Sequence, residues 1–492
     1  MNPYLVLALL AVYFAALFVV GRLTKGKGDN EAFFKANRNS KWYLVAFGMI
    51  GTSLSGVTFI SVPGAVGAGG FAYFQMVLGY IVGYAVIAFV LMPIYYRLQL
   101  VSIYGYLKER FGPTSYLTGA WIFLVSRSLG SSARFFLVLN VLYLAVFAPL
   151  GVPFWLSGVL GLALIWLYTY EGGVKTIIIT DTLQTGAMLI CLVLCLWAMA
   201  TELDMSTIGL TERVMESKLS TIFFWDWKEA NFFWKQFLAG TFIAIVMTGL
   251  DQDMMQKNLT CRNLKEAQTN MMTFTAVLVF VNFLFLVLGA ALYLFAAQKG
   301  IALPAKGDEL FPMIALQHLP TVAGIVFIVG IIAATYASTD SALTALTTSY
   351  CMDILGMDKQ ELKQDGQAEK QRRRVHLGMT LVIFVLVLGF KASDSPSLLI
   401  VIFKLAGYTY GPLLGLFAFG IASKRRVRDG LVPYVCVAAP AICFALDYIA
   451  KQNPDGYHFG FELLLVNGAL AALGLWAVSY KVGGKEGELQ TA

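Results

Sequence analysis

The chain has 492 residues, 58% of them hydrophobic and only 13% charged, with a mean hydropathy of +0.71. A soluble domain carries roughly twice that share of charge, so the composition excludes a soluble enzyme or binding module and predicts a polytopic membrane protein. The net charge of +7 gathers in short clusters between apolar runs, with no basic stripe of interleaved aromatics, which excludes a nucleic-acid partner.

In chain order, apolar runs of about 17–25 residues predict about thirteen transmembrane helices. They lie near 4–21, 42–66, 73–94, 116–146, 154–170, 177–200, 236–250, 269–296, 321–353, 377–391, 397–421, 430–449 and 461–480. The first run has no charge before it and no clear small-residue cleavage site, so a retained helix is expected rather than a signal peptide. With the N-terminus outside, the inner loops hold Arg22, Lys25, Lys27, Lys35, Arg38 and Lys41, then Lys359, Lys363, Lys370 and Arg372 to Arg374, then Lys424, Arg425, Arg426 and Arg428. About 25 of the Lys and Arg then face inward, which sets the orientation and leaves the C-terminus inside a cell inner (plasma) membrane. The outer segment 202–235 is rich in aromatics, and these are expected to form a short interfacial helix.

The six cysteines lie in spans or on the inner side. Cys191 and Cys195 share a helix face, but no outer pair suggests a disulfide and no CxxC suggests a metal site. His318, His376 and His458 fall at loop or span edges, which argues against histidine chemistry. No HExxH, GxSxG or paired catalytic carboxylates stand in the spans, so neither an enzyme nor a cofactor is expected.

Several spans carry polar islands. The second, WYLVAFGMIGTSLSGVTFISVPG, crowds Gly48, Gly51, Thr52, Ser53, Ser55, Gly56 and Thr58 before Pro63. Such a segment either unwinds, turning free carbonyls toward an ion, or uses its glycines for close helix packing. Arg127 and Arg134 stand seven residues apart on one helix face, and Lys404 lies in a later span; an Arg fork suits a carboxylate. Each of these cations holds an anionic solute, snorkels, or neutralises a buried acid such as Asp340. Asp181 sits inside a span without a basic neighbour on its own helix, so it is expected to be paired, functional or snorkelling. Asp447, near an outer edge, reads as solvated. The most informative stretch is VGIIAATYASTDSALTALTTSYCMDI at 329–354. Thr335, Ser338 and Thr339 follow i, i+3, i+4 spacing, and Ser341 lies about one turn beyond Ser338, so their hydroxyls converge. Such a row either coordinates a small hard cation or permits close packing and back-bonding to the i−4 carbonyl.

Taken together, GTSLSGVTFISVPG, LVSIYGYLKERFG, GGVKTIIITDTLQ, GLDQDMMQKNLTCRNLKEAQ and ASTDSALTALTTSYCMDIL resemble the sodium/solute symporter family. Its members include the sodium-coupled sugar, proline, sialic acid, monocarboxylate and iodide transporters. The resemblance implies an all-α, LeuT-type fold of two inverted five-helix repeats with broken lead helices. It places a leading helix and inner loop at 1–41, repeats at 42–201 and 235–421, an outer loop at 202–234, and two additional helices with an inner tail at 422–492. It implies a sodium site from carbonyls of Gly51 and Leu54 with oxygens of Thr335, Ser338 and Thr339. A second sodium site in some members matches Asp181, Ser338, Ser341 and Ala342, the last a departure without a hydroxyl. Substrate positions match Ser53, Ser55, Thr58, Tyr73, Val77, Tyr80, Met247, Thr248 and Lys404. The Arg that sialic-acid-type members place on the fourth span aligns with Gly130, within about one turn of both Arg127 and Arg134. Galactose-type members place Glu, Lys and Gln where Val77, an apolar residue near Leu278 and Lys404 stand. Asp251 and Gln252 match the inner end of the helix opening the second repeat, where they either organise the inner gate or cap a helix end.

The resulting expectation is a secondary transporter in the lipid bilayer that uses sodium to import a small anionic solute, such as a sialic acid, a uronate or a monocarboxylate. The rivals are a proton-coupled or uncoupled carrier working through Asp181, a symporter of neutral sugars or amino acids, and a membrane sensor. About a dozen residues follow the last span, too few for a kinase.

Overall fold

The computed structural model describes residues 3–24, 40–357, 366–392, 398–452, 457 and 459–481. Lys25, Lys27, Lys35, Arg38, Lys359, Lys363 and His458 lie outside the described residues. The architecture is nearly all helical, as lipid requires, because a helix satisfies its own N–H and C=O groups without water. α1 (Pro3–Thr24) turns Val12, Val19 and Leu23 outward and buries Phe14 and Leu17. α2 (Trp42–Ser53) and α3 (Gly56–Gly69) follow, then α4 (Tyr73–Val86), which runs through a π turn into α5 (Met92–Arg97). After α6 (Gly105–Arg110) come α7 (Pro113–Leu142) and α8 (Phe154–Glu202). α9 (Thr207–Glu216) follows, and α10 (Phe233–Ala244) and α11 (Gln252–Asn258) lead to α12 (Leu264–Lys299). Past a short α13 (Leu310–Met313) stand α14 (Thr321–Ser349), α15 (Gly366–Lys391), α16 (Leu398–Thr409), α17 (Gly411–Ala422), α18 (Val432–Lys451) and α19 (Leu463–Ala477). Every predicted span falls on an apolar helix. Eight are long enough alone, three bent pairs qualify together, and Phe154–Thr169 within α8 and α19 are shorter.

The bent pairs shape the interior. α2 and α3 meet at 56°, the helix Phe233–Gly249 and α11 at 68°, and α16 and α17 at 46°. In the first pair the helix stops at Leu54 and Ser55, whose ψ angles of 69° and 176° leave the helical region. The glycines of this span serve a different end. A Cβ on Gly51 would stand 2.4 Å from Thr185 Oγ1 and one on Gly56 2.4 Å from Val138, so these residues let α8 and α7 approach. In the second pair a π turn, Ile245–Gly249, is followed by Leu250 and then Asp251, whose side chain accepts the Asp253 N–H at 2.9 Å as the N-cap of α11. In the third pair Pro412 opens α17, which removes an N–H from the ladder.

Two other glycines join the halves. Cβ atoms on Gly79 and Gly240 would each stand 2.1 Å from a carbonyl of the facing helix, so α4 and α10 pack backbone to backbone. The segment 202–235 does contain a short helix, α9, capped by Ser206 Oγ accepting Gly209 N–H at 2.9 Å. Its sequence TIGLTERVME holds no aromatic residue; Phe223, Trp225 and Trp227 follow in irregular chain, exposed.

Candidate functional site

The break between α2 and α3 lies against the hydroxyl helix α14. Thr52 Oγ1, one residue past Gly51, lies 3.4 Å from the Ala337 carbonyl. A Cβ on Gly56 would come within 2.7 Å of Thr335 Oγ1. Thr335, Ser338 and Thr339 are buried, and their hydroxyls donate to the carbonyls of Ile331, Thr335 and Thr335 at 2.8, 2.9 and 2.9 Å. The back-bonding anticipated as the plain alternative is therefore present, and it uses each hydroxyl's proton while leaving its lone pairs to accept a cation. At the break, Leu54 N–H donates to Ile50 and Phe59 N–H to Ser55. Among the described residues no hydrogen bond reaches the carbonyls of Gly51 or Leu54. Carbonyls and hydroxyls suited to a hard cation thus share one small region.

A set of buried charges adjoins it. Lys257 Nζ pairs with Asp181 Oδ2 at 2.5 Å and bonds Thr52 Oγ1, which itself donates to Asp181 Oδ2 at 3.1 Å. Arg127 pairs with Asp253 and lies 3.7 Å from Asp251 Oδ2. Asp253 Oδ1 also accepts from Ser341 Oγ, and Asp251 Oδ2 from Tyr410 OH at 2.6 Å. Tyr410 stands at the third bend and Asp251 at the second, so Arg127 is the hub of both. Gln252 accepts Ile103 N–H at 3.0 Å and donates to Val101 O at 2.9 Å. Tyr95 and Tyr104 hydroxyls donate to Gly249 and Leu250 carbonyls at 2.8 and 3.1 Å. Asp251 and Gln252 therefore cap a helix end and also bolt it to the LVSIYGYLKERFG stretch.

A cavity opens beside the two lead-helix breaks. It is lined by Ser53, Ser55, Thr58, Tyr73, Tyr80, Arg127, Arg134, Met247 and Thr248, and also by Tyr84, Asn282, Leu278 and Phe403. Tyr73 and Tyr80 hydroxyls meet at 3.2 Å. Arg134 has no hydrogen bond or ion pair among the described residues, unlike Arg127. Asn282 donates to Leu278 O at 2.8 Å, and its Oδ1 is buried without a partner.

Several sequence expectations need correction. Val77 is fully buried and does not line the cavity. Lys404 is exposed: the cavity face of α16 carries Leu399, Ile402 and Phe403, and helical pitch turns Lys404 about 100° from its neighbour. Asp340 is held by Tyr168 OH at 2.6 Å rather than by an arginine. Asp447, taken as solvated, is buried and accepts from Tyr408 and Lys451. His376, taken as an edge residue, is buried between Thr169 and Thr347 hydroxyls at 3.0 and 2.9 Å. Asp181 and Ser341 belong to separate networks, one around Lys257 and one around Arg127. Sequence reading missed Asp253, Lys257, Asp353 and Tyr410. Asp353 accepts from Ser102, Tyr116 and Ser349, tying the LVSIYGYLKERFG stretch and the start of α7 to the end of α14. The density of polar residues in GLDQDMMQKN was the available signal for Asp253 and Lys257; their long-range partners were not in it.

The family model for the sodium:solute symporter family matches residues 33–432. The chain belongs to that family. Like other sodium:solute symporters it is a transporter and no enzyme. The sodium/sialic acid symporter NanT of Aliivibrio fischeri is 24% identical over 435 residues, covering 85% of this chain and 82% of the relative. The sodium/sialic acid symporter SiaT of Proteus mirabilis is also 24% identical, over 89% of this chain and 88% of its own. Sodium-coupled monocarboxylate transporter 1 of Mus musculus is 25% identical over 85% of this chain and 67% of its own. A solved sodium-coupled sialic acid symporter, substrate-bound and outward-open, superimposes with a TM-score of 0.81 at 20% identity, covering 97% and 99% of the two chains. Mhp1, a nucleobase-cation-symport-1 family transporter, gives a TM-score of 0.52 at 14% identity, covering 90% and 93%. The fold of this symporter is of the LeuT type, as expected.

Proposed function

We propose that this symporter binds sodium with the Gly51 and Leu54 carbonyls and the Thr335, Ser338 and Thr339 oxygens, and imports a carboxylate-bearing solute held in the adjoining cavity. The observation that carries the cargo class is Arg134. It faces a cavity walled largely by tyrosines and apolar side chains, and among the described residues no acid pairs with it. A cation so placed is costly unless the ligand brings the counter-charge. The names of the sialic acid and monocarboxylate relatives agree with this. Lys257 holds Asp181 in an ion pair, which favours sodium over a proton-coupled cycle run through that carboxylate.

The same reading sets the inverted repeats at 42–201 and 235–421, between a leading segment 1–41, an outer loop 202–234 and a C-terminal part 422–492. It orients the N-terminus outside and the C-terminus inside an inner (plasma) membrane. Sodium fastens α14 to the α2/α3 break in the outward-facing state, and the Arg127 network closes the inner side. The electrical driving force is about 2.3 kcal/mol per charge per 100 mV. Thermal shift of purified protein tests the reading in sodium and choline chloride, each with N-acetylneuraminate, a short monocarboxylate and galactose. A sodium-dependent shift that grows with a carboxylate, and that needs about tenfold more solute in Arg134→Ala, is expected. Stabilisation by galactose, or carboxylate binding indifferent to Arg134, would contradict the cargo assignment.

A further inference from the structure

The positions that match a second sodium site do not fit one in this chain. Asp181 Oδ2 already holds the Lys257 ammonium at 2.5 Å and the Thr52 hydroxyl at 3.1 Å. Ser341 Oγ donates to Asp253, inside the Arg127 network. Ser338 Oγ donates its proton to the Thr335 carbonyl at 2.9 Å, and the lone pairs this leaves are the ones assigned above to the first sodium. Ala342 is fully buried and offers no side-chain oxygen. What remains unshared is Asp181 Oδ1, buried and without a hydrogen bond among the described residues, a single oxygen where an alkali ion needs several. Any ion drawn to it would also stand close to the Lys257 charge, in an interior where like charges repel strongly.

We infer that the Lys257 ammonium stands in this symporter where a second sodium ion would bind, so that one sodium ion is bound per transporter. The inference rests on the sodium reading above. The lysine does what a resident cation would do: it neutralises Asp181 on α8, grips Thr52 at the end of α2, and links both to α11. Thr52 follows Gly51 in the chain and reaches Ala337 O between Thr335 and Thr339. One flank of the break is therefore held by a cation that never leaves, and the other by a sodium ion that comes and goes. A monoanionic solute carried with one sodium ion moves no net charge.

Binding of radiolabelled sodium to the purified full chain, without solute, counts the ions directly. One ion per transporter is expected, with a Hill slope of about 1. Two ions in the wild type would overturn the inference while leaving the sodium reading intact; no sodium binding at all would remove that reading and the inference with it. Lys257→Met strips the ammonium from Asp181, and the bared carboxylate is expected to recruit a second sodium, raising the count to two and the Hill slope above about 1.5. Lys257→Met combined with Asp181→Asn should return the count to one. A folded Lys257→Met protein that binds one sodium at an unchanged midpoint would show that the lysine holds no cation position. If Lys257→Met does not fold, the wild-type count decides.

Discussion

The two lead-helix breaks bend by similar amounts, 56° and 68°, yet their backbone groups meet opposite fates. At Leu54 and Ser55 no hydrogen bond among the described residues reaches the Gly51 and Leu54 carbonyls, and the local sequence GTSLSG carries no charge. At Leu250 and Asp251 the carbonyls of Gly249 and Leu250 freed by the break are taken by Tyr95 and Tyr104, and Asp251, Gln252 and Asp253 are each bound to other elements. A buried carbonyl without a partner in a dry interior is an open coordination position; one that is capped is a structural joint. The difference separates the proposed ion site from the latch. A bend alone does not make a cation site; it does so where the surrounding side chains leave the backbone unpaired.

Breaking the latch should produce the largest effect. Arg127→Ala leaves Asp251 and Asp253 buried without their cation, and removal of one partner from a buried charge network costs about 3–5 kcal/mol. A fall in the unfolding temperature of the detergent-solubilised protein, the same in sodium and in choline, would show it. Retention of the wild-type temperature would mean that Arg127 is not the hub. Breaking the ion site should act differently. Thr339→Ala removes one oxygen from the hydroxyl row and is expected to raise the sodium midpoint by about tenfold, equivalent to about 1.4 kcal/mol. Stability in choline should barely move, since only the back-bond to Thr335 O is lost. An unchanged sodium midpoint would disconnect α14 from the ion.

How far these regions were legible in the sequence follows from the range of their contacts. Thr335, Ser338 and Thr339 could be read because their convergence is a property of one helix, fixed by its period. The break near Ser53 to Ser55 could be read from local composition, although the glycines suspected of causing it pack against Thr185 and Val138 instead. The latch could not. Arg127 and Asp253 stand 126 residues apart, and Lys257 and Asp181 76 apart, so nothing local to a polar segment that reads as a helix end reveals the partners that bury it. Lys404 failed in the other direction. Membrane-length hydropathy places it inside a span, but only packing shows which face of α16 meets the cavity and which is exposed. His376 and Asp447 were misread for the same reason: nearness to a span end says little about burial when partners come from other helices.

The smallest expected effect sharpens the contrast most directly, because it makes one break resemble the other. Tyr104→Phe removes the hydroxyl that caps Leu250 O at 3.1 Å and leaves that carbonyl as bare as Leu54 O. The lost bond should cost about 1 kcal/mol, seen as a slight fall in unfolding temperature. No new sodium dependence is expected, because the oxygens near this break, those of Asp251 and Asp253, are already committed to Tyr410, Ser341 and Arg127. An added sodium-binding step in Tyr104→Phe would mean that a freed carbonyl is sufficient by itself, and the neutral hydroxyl row of α14 would then lose its part in distinguishing the two breaks.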